Sequence, residues 1–315
     1  MSTNDKRGTL LIAPHQFPHL EREQKLADTF GLKLVAAADQ QAFSDGMADA
    51  EIVMVTPYGK VNEAEFAKMT KCKAVVRYGM GYDNIDVNAA AKVGVPVSIV
   101  PDASSEEVAA HALAMGIALA RRLPQGQASI TKAGWAGTIA YDTPKLANLE
   151  VGIVGMGRIG RLTAGWWASL GTKVKAYDPF AKFNDIPQAS LDEILENSDV
   201  VSLHLPLNAD TRDMISTKVL ERMRKSAVIV NVSRGGLIDE AALAEALKSG
   251  QIAGAALDVF AKEPLPADNP LRDAPNLILT PHIAWRSNTS LGALQDGAVE
   301  RARKALSGEQ LPDLV

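Results

Sequence analysis

The sequence predicts an α/β protein with two parallel-sheet domains, one doubly wound and inserted into the other, which is discontinuous. Three observations carry that prediction. The first hundred residues alternate short β-branched or aliphatic runs with polar stretches of helical length. A second series of the same kind begins at Leu149 and supplies six further runs. At 315 residues, 47% hydrophobic and 22% charged, the chain is long enough for two domains that each bury a core.

In the first series the strand candidates are Thr9 to Ala13, Leu34 to Ala37, Ile52 to Val55, Ala74 to Arg77 and Val95 to Ile99. Ser104 to Arg122 then reads as an alanine-rich helix bridging the domains, with Ser104 or Ser105 as N-cap and Glu106 and Glu107 in its first turn. Pro124 to Asn148 carries Gly126, Gly134, Gly137 and Pro144 and reads as an irregular arm, anchored by Trp135, that packs on another subunit. The second series runs through Leu149 to Val154, Lys173 to Tyr177, Val200 to Leu203, Ala227 to Val232, Gly254 to Asp258 and Leu277 to Thr280. A last helix, from about Asn288 to Leu306 and stopped by Gly308, returns to the first domain.

A net charge of −4 gives no basic field for nucleic acid and no polybasic patch for a membrane. The apolar stretch before His15 is too brief for a signal-peptide core, and no run is long enough to span a bilayer. A cytoplasmic protein with small-molecule or protein partners is expected. The single cysteine, Cys72, forms no internal disulfide and has no ligand neighbours at useful spacing, so no metal site is expected.

The segment V-G-I-V-G-M-G-R-I-G places Gly155, Gly157 and Gly160 after a strand and at the opening of a helix. In that context it is the dinucleotide fingerprint of a Rossmann-like fold. Gly155 permits the tight turn, Gly157 lets backbone approach a pyrophosphate, and Gly160 lets helix and strand pack closely. Met156, Arg158 and Ile159 fill the loop, with Arg158 as a further cation for the phosphates. The next strand ends at Asp178, where a carboxylate would accept hydrogen bonds from the ribose 2′-hydroxyl of NAD and repel the 2′-phosphate of NADP. NAD is therefore the expected cofactor. The boundaries that follow are residues 1–101 and 285–315 for a flavodoxin-like substrate domain, and 102–284 for the NAD domain with its helix and arm.

Three further segments stand at strand ends: N-V-S-R-G-G (Asn231 to Gly236), L-D-V-F-A-K-E-P-L (Leu257 to Leu265) and L-T-P-H-I-A-W (Leu279 to Trp285). Together with V-R-Y-G-M-G-Y-D-N-I-D (Val76 to Asp86) and a mid-chain fingerprint, their order resembles the D-2-hydroxyacid dehydrogenase family over nearly the whole chain. The resemblance implies an NAD-dependent enzyme, of the glyoxylate or hydroxypyruvate reductase kind, acting on a small 2-keto or 2-hydroxy acid. It makes Arg234 the binder of substrate carboxylate and carbonyl, His282 the general acid and Glu263 its partner. The chemistry asks for these types: a guanidinium stabilises charge growing on the carbonyl oxygen, an imidazolium delivers the proton, and a carboxylate beside an imidazole favours its protonated form.

The resemblance also implies that His204, Leu205, Pro206, Thr211, Val232, Ser233, Asp258 and Trp285 lie at the cofactor. Substrate contacts fall to the backbone of Met80 and Gly81 and to the side chains of Arg77, Tyr58 and Trp285. Trp285, three positions after the histidine, looks like the C-terminal-binding-protein branch, whose members are NAD-binding corepressors. An NAD(H)-sensing binding protein is thus the alternative to an enzyme, and a homodimer is expected in either case. Formate dehydrogenase is disfavoured, since glutamine would be expected in place of Glu263. His15 and His19 read as loop residues and His111 as a structural residue on the alanine-rich helix. The chain ends soon after its last helix, so an appended regulatory domain is not expected.

Overall fold

The structure, a computed structural model, describes residues 8–139 and 143–315. Its backbone divides into two compact units, one of residues up to Ser104 together with Ser287–Val315, the other Ser105–Arg286. Both are parallel-sheet α/β units, the fold class predicted.

In the first unit, β1 (Thr9–Ile12), β2 (Lys33–Ala36), β3 (Ala50–Val55), β4 (Ala74–Arg77) and β5 (Val97–Ile99) form an all-parallel sheet in the order β2-β1-β3-β4-β5. This is the flavodoxin-like order, with its reversal between β1 and β3. The inner strands are continuous apolar runs because helices cover both faces. Those helices are α1 (Glu21–Thr29), α2 (Gln40–Asp45), α3 (Glu63–Lys68), α4 (Val87–Val93) and the last of the chain, α11 (Ser290–Ser307). Phe43, Met47, Phe66 and Val75 sit together in the core. Glu23 of α1 is fully buried, accepting from the Tyr78 hydroxyl at 2.9 Å and from Gln295 Nε2 of α11 at 3.1 Å. A buried carboxylate is tolerable only when so partnered.

The second unit opens with α5 (Ser105–Ala120) and α6 (Leu123–Thr131). It continues β6 (Glu150–Val154), α7 (Arg158–Ser169), β7 (Lys173–Tyr177), α8 (Leu191–Asn197), β8 (Val200–Leu203), α9 (Thr217–Arg222), β9 (Val228–Asn231), α10 (Glu240–Ser249), β10 (Gly254–Leu257) and β11 (Leu277–Leu279). The strands are parallel in the order β11-β10-β9-β8-β6-β7, reversing between β6 and β8. Beyond β7 a single parallel bridge, Gln188 to Ala176, stands where a third strand on that side would lie. Helix α5 packs on α7, and Gly116 makes this possible: a Cβ there would lie 2.7 Å from the ring of the fully buried Trp167.

One element corrects the sequence reading. Leu123–Thr131, within the stretch expected to be irregular, is helical. Pro124 sits in the first turn, where its missing N–H costs no hydrogen bond, so it opens this helix. Residues 140–142 of the expected arm, and the first seven residues of the N-terminal stretch before His15, lie outside the described residues. No helix of the described residues is long and apolar enough to cross a membrane.

Candidate functional site

At the carboxyl end of β6 the chain turns through Gly155, whose φ is +99°. A Cβ there would stand 2.5 Å from the His204 carbonyl oxygen, and one on Gly160 would stand 2.0 Å from the Gly155 oxygen. Only glycine fits either place. A Cβ on Gly157, by contrast, would meet nothing within 4 Å. Gly157 is also the N-cap of α7 and contributes no side-chain cap, so the first N–H groups of the helix form a backbone cradle of the kind that takes a phosphate. The Met156 side chain is buried beneath the loop, and Ile159 is half-buried while Gly157 and Arg158 are exposed.

Asp178, at the end of β7, ties this loop down: Oδ2 accepts the Met156 N–H at 2.8 Å, and Oδ1 accepts those of Phe180 and Ala181 at 2.8 and 2.9 Å. Partial burial works against its charge, but these N–H groups and the Arg161 cation outweigh it and hold the carboxyl below the usual range. It is therefore a lasting negative charge beside the cradle. Three accepted bonds leave a carboxylate about one further lone-pair site for a ligand.

Across the β6/β8 reversal, His204 lies under the loop. Its N–H reaches Val154 O at 2.7 Å, its Nε2 pairs with the Ser202 hydroxyl at 2.9 Å, and its Nδ1 is sealed from solvent without a partner. Burial pushes this imidazole down to about 4, so it is neutral at ordinary pH. Leu205 packs beside Gly155, while the Thr211 hydroxyl donates to Pro206 O at 2.8 Å and accepts from Asn208 N–H, stapling its own loop.

After β9, the buried Asn231 shapes the turn carrying Val232, Ser233 and Arg234. Its Oδ1 accepts the Ser233 N–H at 3.0 Å and its Nδ2 donates to Arg234 O at 2.8 Å. Ser233 Oγ donates to Leu203 O, Arg234 donates to Ser233 O, and Val232 is buried. Asn231 stands in a motif noted in the sequence, but its part in the turn shows only from its partners. The next residue, Gly235, presses against the peptide between Phe260 and Ala261: a Cβ there would lie 1.8 Å from Phe260 C.

That peptide leads to Glu263, which accepts the Phe260 N–H at 3.1 Å on Oε1 and pairs with His282 Nδ1 at 2.7 Å through Oε2. Both side chains are 36% exposed, so the pair faces solvent on one side. Burial raises the Glu263 carboxyl, but the His282 hydrogen bond and charge, the Phe260 N–H and the Arg234 cation together hold it low. Arg234 is thus near enough for its charge to act on Glu263. A carboxylate only accepts, so His282 Nδ1 carries a proton and Nε2 is the nitrogen left for a ligand.

His282 has φ +53°, a region that costs a non-glycine residue energy. Asp258 maintains it. Its carbonyl accepts the His282 N–H at 2.8 Å, and its carboxylate accepts Thr280 Oγ1 at 2.6 Å and the N–H groups of Ile283 and Ala284, each at 2.9 Å. The Asp258 side chain is 1% exposed. The carboxylate is turned inward, and the loop's own donors take up its oxygens. Trp285 caps the loop from outside, donating Nε1–H to His282 O at 3.1 Å, with Arg286 over its ring.

In the first unit, Gly79, with φ +117°, opens the loop of Met80 and Gly81, both half-buried, and Tyr58 is exposed. Arg77, expected to reach substrate, is buried, and its guanidinium donates to Tyr78 O of its own loop. A desolvated cation at a strand end is held by the nearest carbonyl. Cys72 is inert: burial pushes its thiol up to about 12. Among the described residues no group of three His, Cys, Asp or Glu is placed to hold a metal ion.

Residues 113–284 match the family described as D-isomer specific 2-hydroxyacid dehydrogenase, NAD binding domain. The chain is similar to the D-3-phosphoglycerate dehydrogenase of Mycobacterium tuberculosis, with 35% identity over 295 residues covering 92% of this chain and 56% of that protein. It thus spans little more than half the length of that relative. It is also similar to the glyoxylate reductase of Korarchaeum cryptofilum, 34% identical over 304 residues covering 92% of this chain and 91% of the relative. Among solved structures, the D-lactate dehydrogenase of Aquifex aeolicus complexed with NAD and lactic acid is similar with a TM-score of 0.87 and 29% identity, covering 95% of this chain and 96% of that one.

Proposed function

The chain belongs to the D-isomer specific 2-hydroxyacid dehydrogenase family, and from that premise we propose that it reduces a small 2-keto acid to its D-2-hydroxy acid with NADH, as a cytoplasmic homodimer. The observation that carries the reading is the Arg234, Glu263 and His282 unit, held on three adjacent loops at the carboxyl ends of one sheet.

The second unit's residues fit the cofactor. Gly157 and the α7 N-terminus offer backbone N–H groups and open space for a pyrophosphate, and Asp178 offers a charged acceptor for ribose hydroxyls that disfavours a 2′-phosphate. When bound, the reduced nicotinamide supplies the hydride. The chain supplies the rest. Arg234 pairs with the substrate carboxylate and stabilises charge on the carbonyl oxygen. His282 delivers a proton to that oxygen from Nε2, and Glu263 keeps the ring oriented by holding Nδ1–H.

The dimer is favoured by three apolar side chains left open around α6: Trp135 is 76%, Leu123 59% and Ile130 57% exposed. A patch of that kind needs cover.

The test is a panel of 2-keto acids, including glyoxylate, hydroxypyruvate, the keto form of 3-phosphoglycerate and branched aliphatic acids, assayed by NADH oxidation and repeated with NADPH. Turnover with at least one acid, faster with NADH, is expected. NADH binding without turnover of any acid would instead favour the cofactor-sensing alternative.

A further inference from the structure

We propose that His111, on α5, is a positioning residue that holds the His282 loop in its working shape through a side-chain relay. The inference rests on the reading of His282 as proton donor. Chemistry fixes the direction of each link. Asp258 only accepts, so Thr280 Oγ1, 2.6 Å from Asp258 Oδ1, spends its one proton there. The hydroxyl then has only lone pairs to offer, so His111 Nε2, 3.1 Å away, is the donor to it. Asp258, oriented by that hydroxyl, gathers the N–H groups of Ile283 and Ala284, each at 2.9 Å, on either side of its two oxygens. Its own carbonyl takes the His282 N–H at 2.8 Å.

The relay therefore clamps the backbone on both flanks of a residue at φ +53°, a conformation that persists only where its surroundings over-determine it. His111 Nε2 lies 3.8 Å from Asp258 Oδ1, beyond hydrogen-bond distance, so its hold on the carboxylate runs through Thr280. Remove the donor and the half-buried hydroxyl loses one of its two partners, so its direction toward Asp258 is no longer fixed from both sides. The carboxylate then loses an acceptor bond, and the strained turn can relax. The ring of His282 would move with it, away from the position Glu263 sets. Such a shift lowers the rate of proton delivery and leaves the glycine cradle, at the end of β6 with three strands between it and β11, as it was.

The experiment measures kcat, KM for the best acid of the panel, NADH affinity and amide hydrogen exchange in the full-length chain and in His111→Ala, His111→Gln, Thr280→Val and the double variant His111→Ala/Thr280→Val. His111→Ala should lower kcat roughly tenfold, a sub-ångström share of the hundredfold that a 1 Å misplacement costs. Its NADH affinity should stay within about twofold of wild type. His111→Gln, whose side-chain N–H can replace Nε2–H, should recover most of the rate, and the double variant should be no slower than Thr280→Val alone, as for members of one chain of contacts. Exchange at residues 282–284 should quicken in His111→Ala. A wild-type rate in His111→Ala, a loss in His111→Gln equal to that in His111→Ala, multiplying losses in the double variant, or unchanged exchange would each overturn the relay. Should His111→Ala not fold, His111→Gln decides: a rate within about threefold of wild type supports the proposal and a tenfold loss overturns it. Quickened exchange in a chain that turns over no acid even as wild type would uphold the relay and defeat the reading of His282.

Discussion

Replacing Gly235 by alanine should cripple turnover through a collision that the structure locates. The added methyl would lie 1.8 Å from Phe260 C, 2.2 Å from Ala261 N and 2.3 Å from Phe260 Cα, all backbone atoms. Ordinary carbon contacts are about 3.5–4.0 Å, so one of the two loops must retreat by about 1.5 Å or more. Phe260 donates its N–H to Glu263, and Glu263 holds His282, so the displacement passes along this chain of contacts to the proposed proton donor. A misplacement of that size costs roughly 10²-fold or more in rate. Overpacking adds about 1–3 kcal/mol of destabilisation, a fall in melting temperature of several degrees for a domain of this size. Gly236→Ala is the control, because its methyl would meet only the movable tips of Leu207 and Arg212, the nearest at 2.9 Å. Steady-state NADH oxidation and thermal melting of both variants give the answer. If Gly235→Ala keeps its rate within about threefold of wild type, the Arg234 turn and the Glu263 loop are not rigidly coupled, and the reasoning fails.

Two further outcomes follow from the nucleotide loop. Gly157→Ala should leave the melting temperature in place, since no atom lies within 4 Å of the new methyl, yet weaken NADH binding at least tenfold; equal affinity would show that no ligand approaches this backbone. His204 makes the unit acid-sensitive: the folded imidazole titrates near 4 against 6.5 when unfolded, so the unfolded chain binds more protons between these values. Stability is therefore full above 6.5 and lost as pH falls toward 4, by roughly 3 kcal/mol in all. Guanidinium unfolding at about pH 7 and pH 4.5 should show a loss that is smaller in His204→Gln by roughly 2 kcal/mol, and identical losses in the two proteins would contradict the assignment.

The parts of this molecule that show in its sequence are those whose signal is local. Most strands of both sheets are short apolar runs, and Gly155 and Gly160 reflect clashes with atoms a few residues away or on the neighbouring strand. Leu123–Thr131 does not show in the sequence because the glycines and prolines of Pro124 to Asn148 look like one irregular stretch, whereas proline in a first turn breaks nothing. The partners of Arg77 and Asp258 within their own loops do not show in the sequence. Whether a charge faces outward or satisfies its own loop depends on donors and acceptors that only the folded backbone brings near, Tyr78 O for one and the Ile283 and Ala284 N–H groups for the other. His111 was illegible for the same reason carried further, since its partner Thr280 lies 169 residues away.

The central claim is that His282, with Glu263 and Arg234, performs proton delivery beside a bound dinucleotide. Its most direct test is single-turnover oxidation of saturating NADH by the preferred 2-keto acid in wild type and His282→Ala, with NADH affinity measured on the same samples. The variant should be slower by roughly 10²- to 10⁴-fold, with NADH bound as tightly as before. A variant that oxidises NADH as fast as wild type would contradict it.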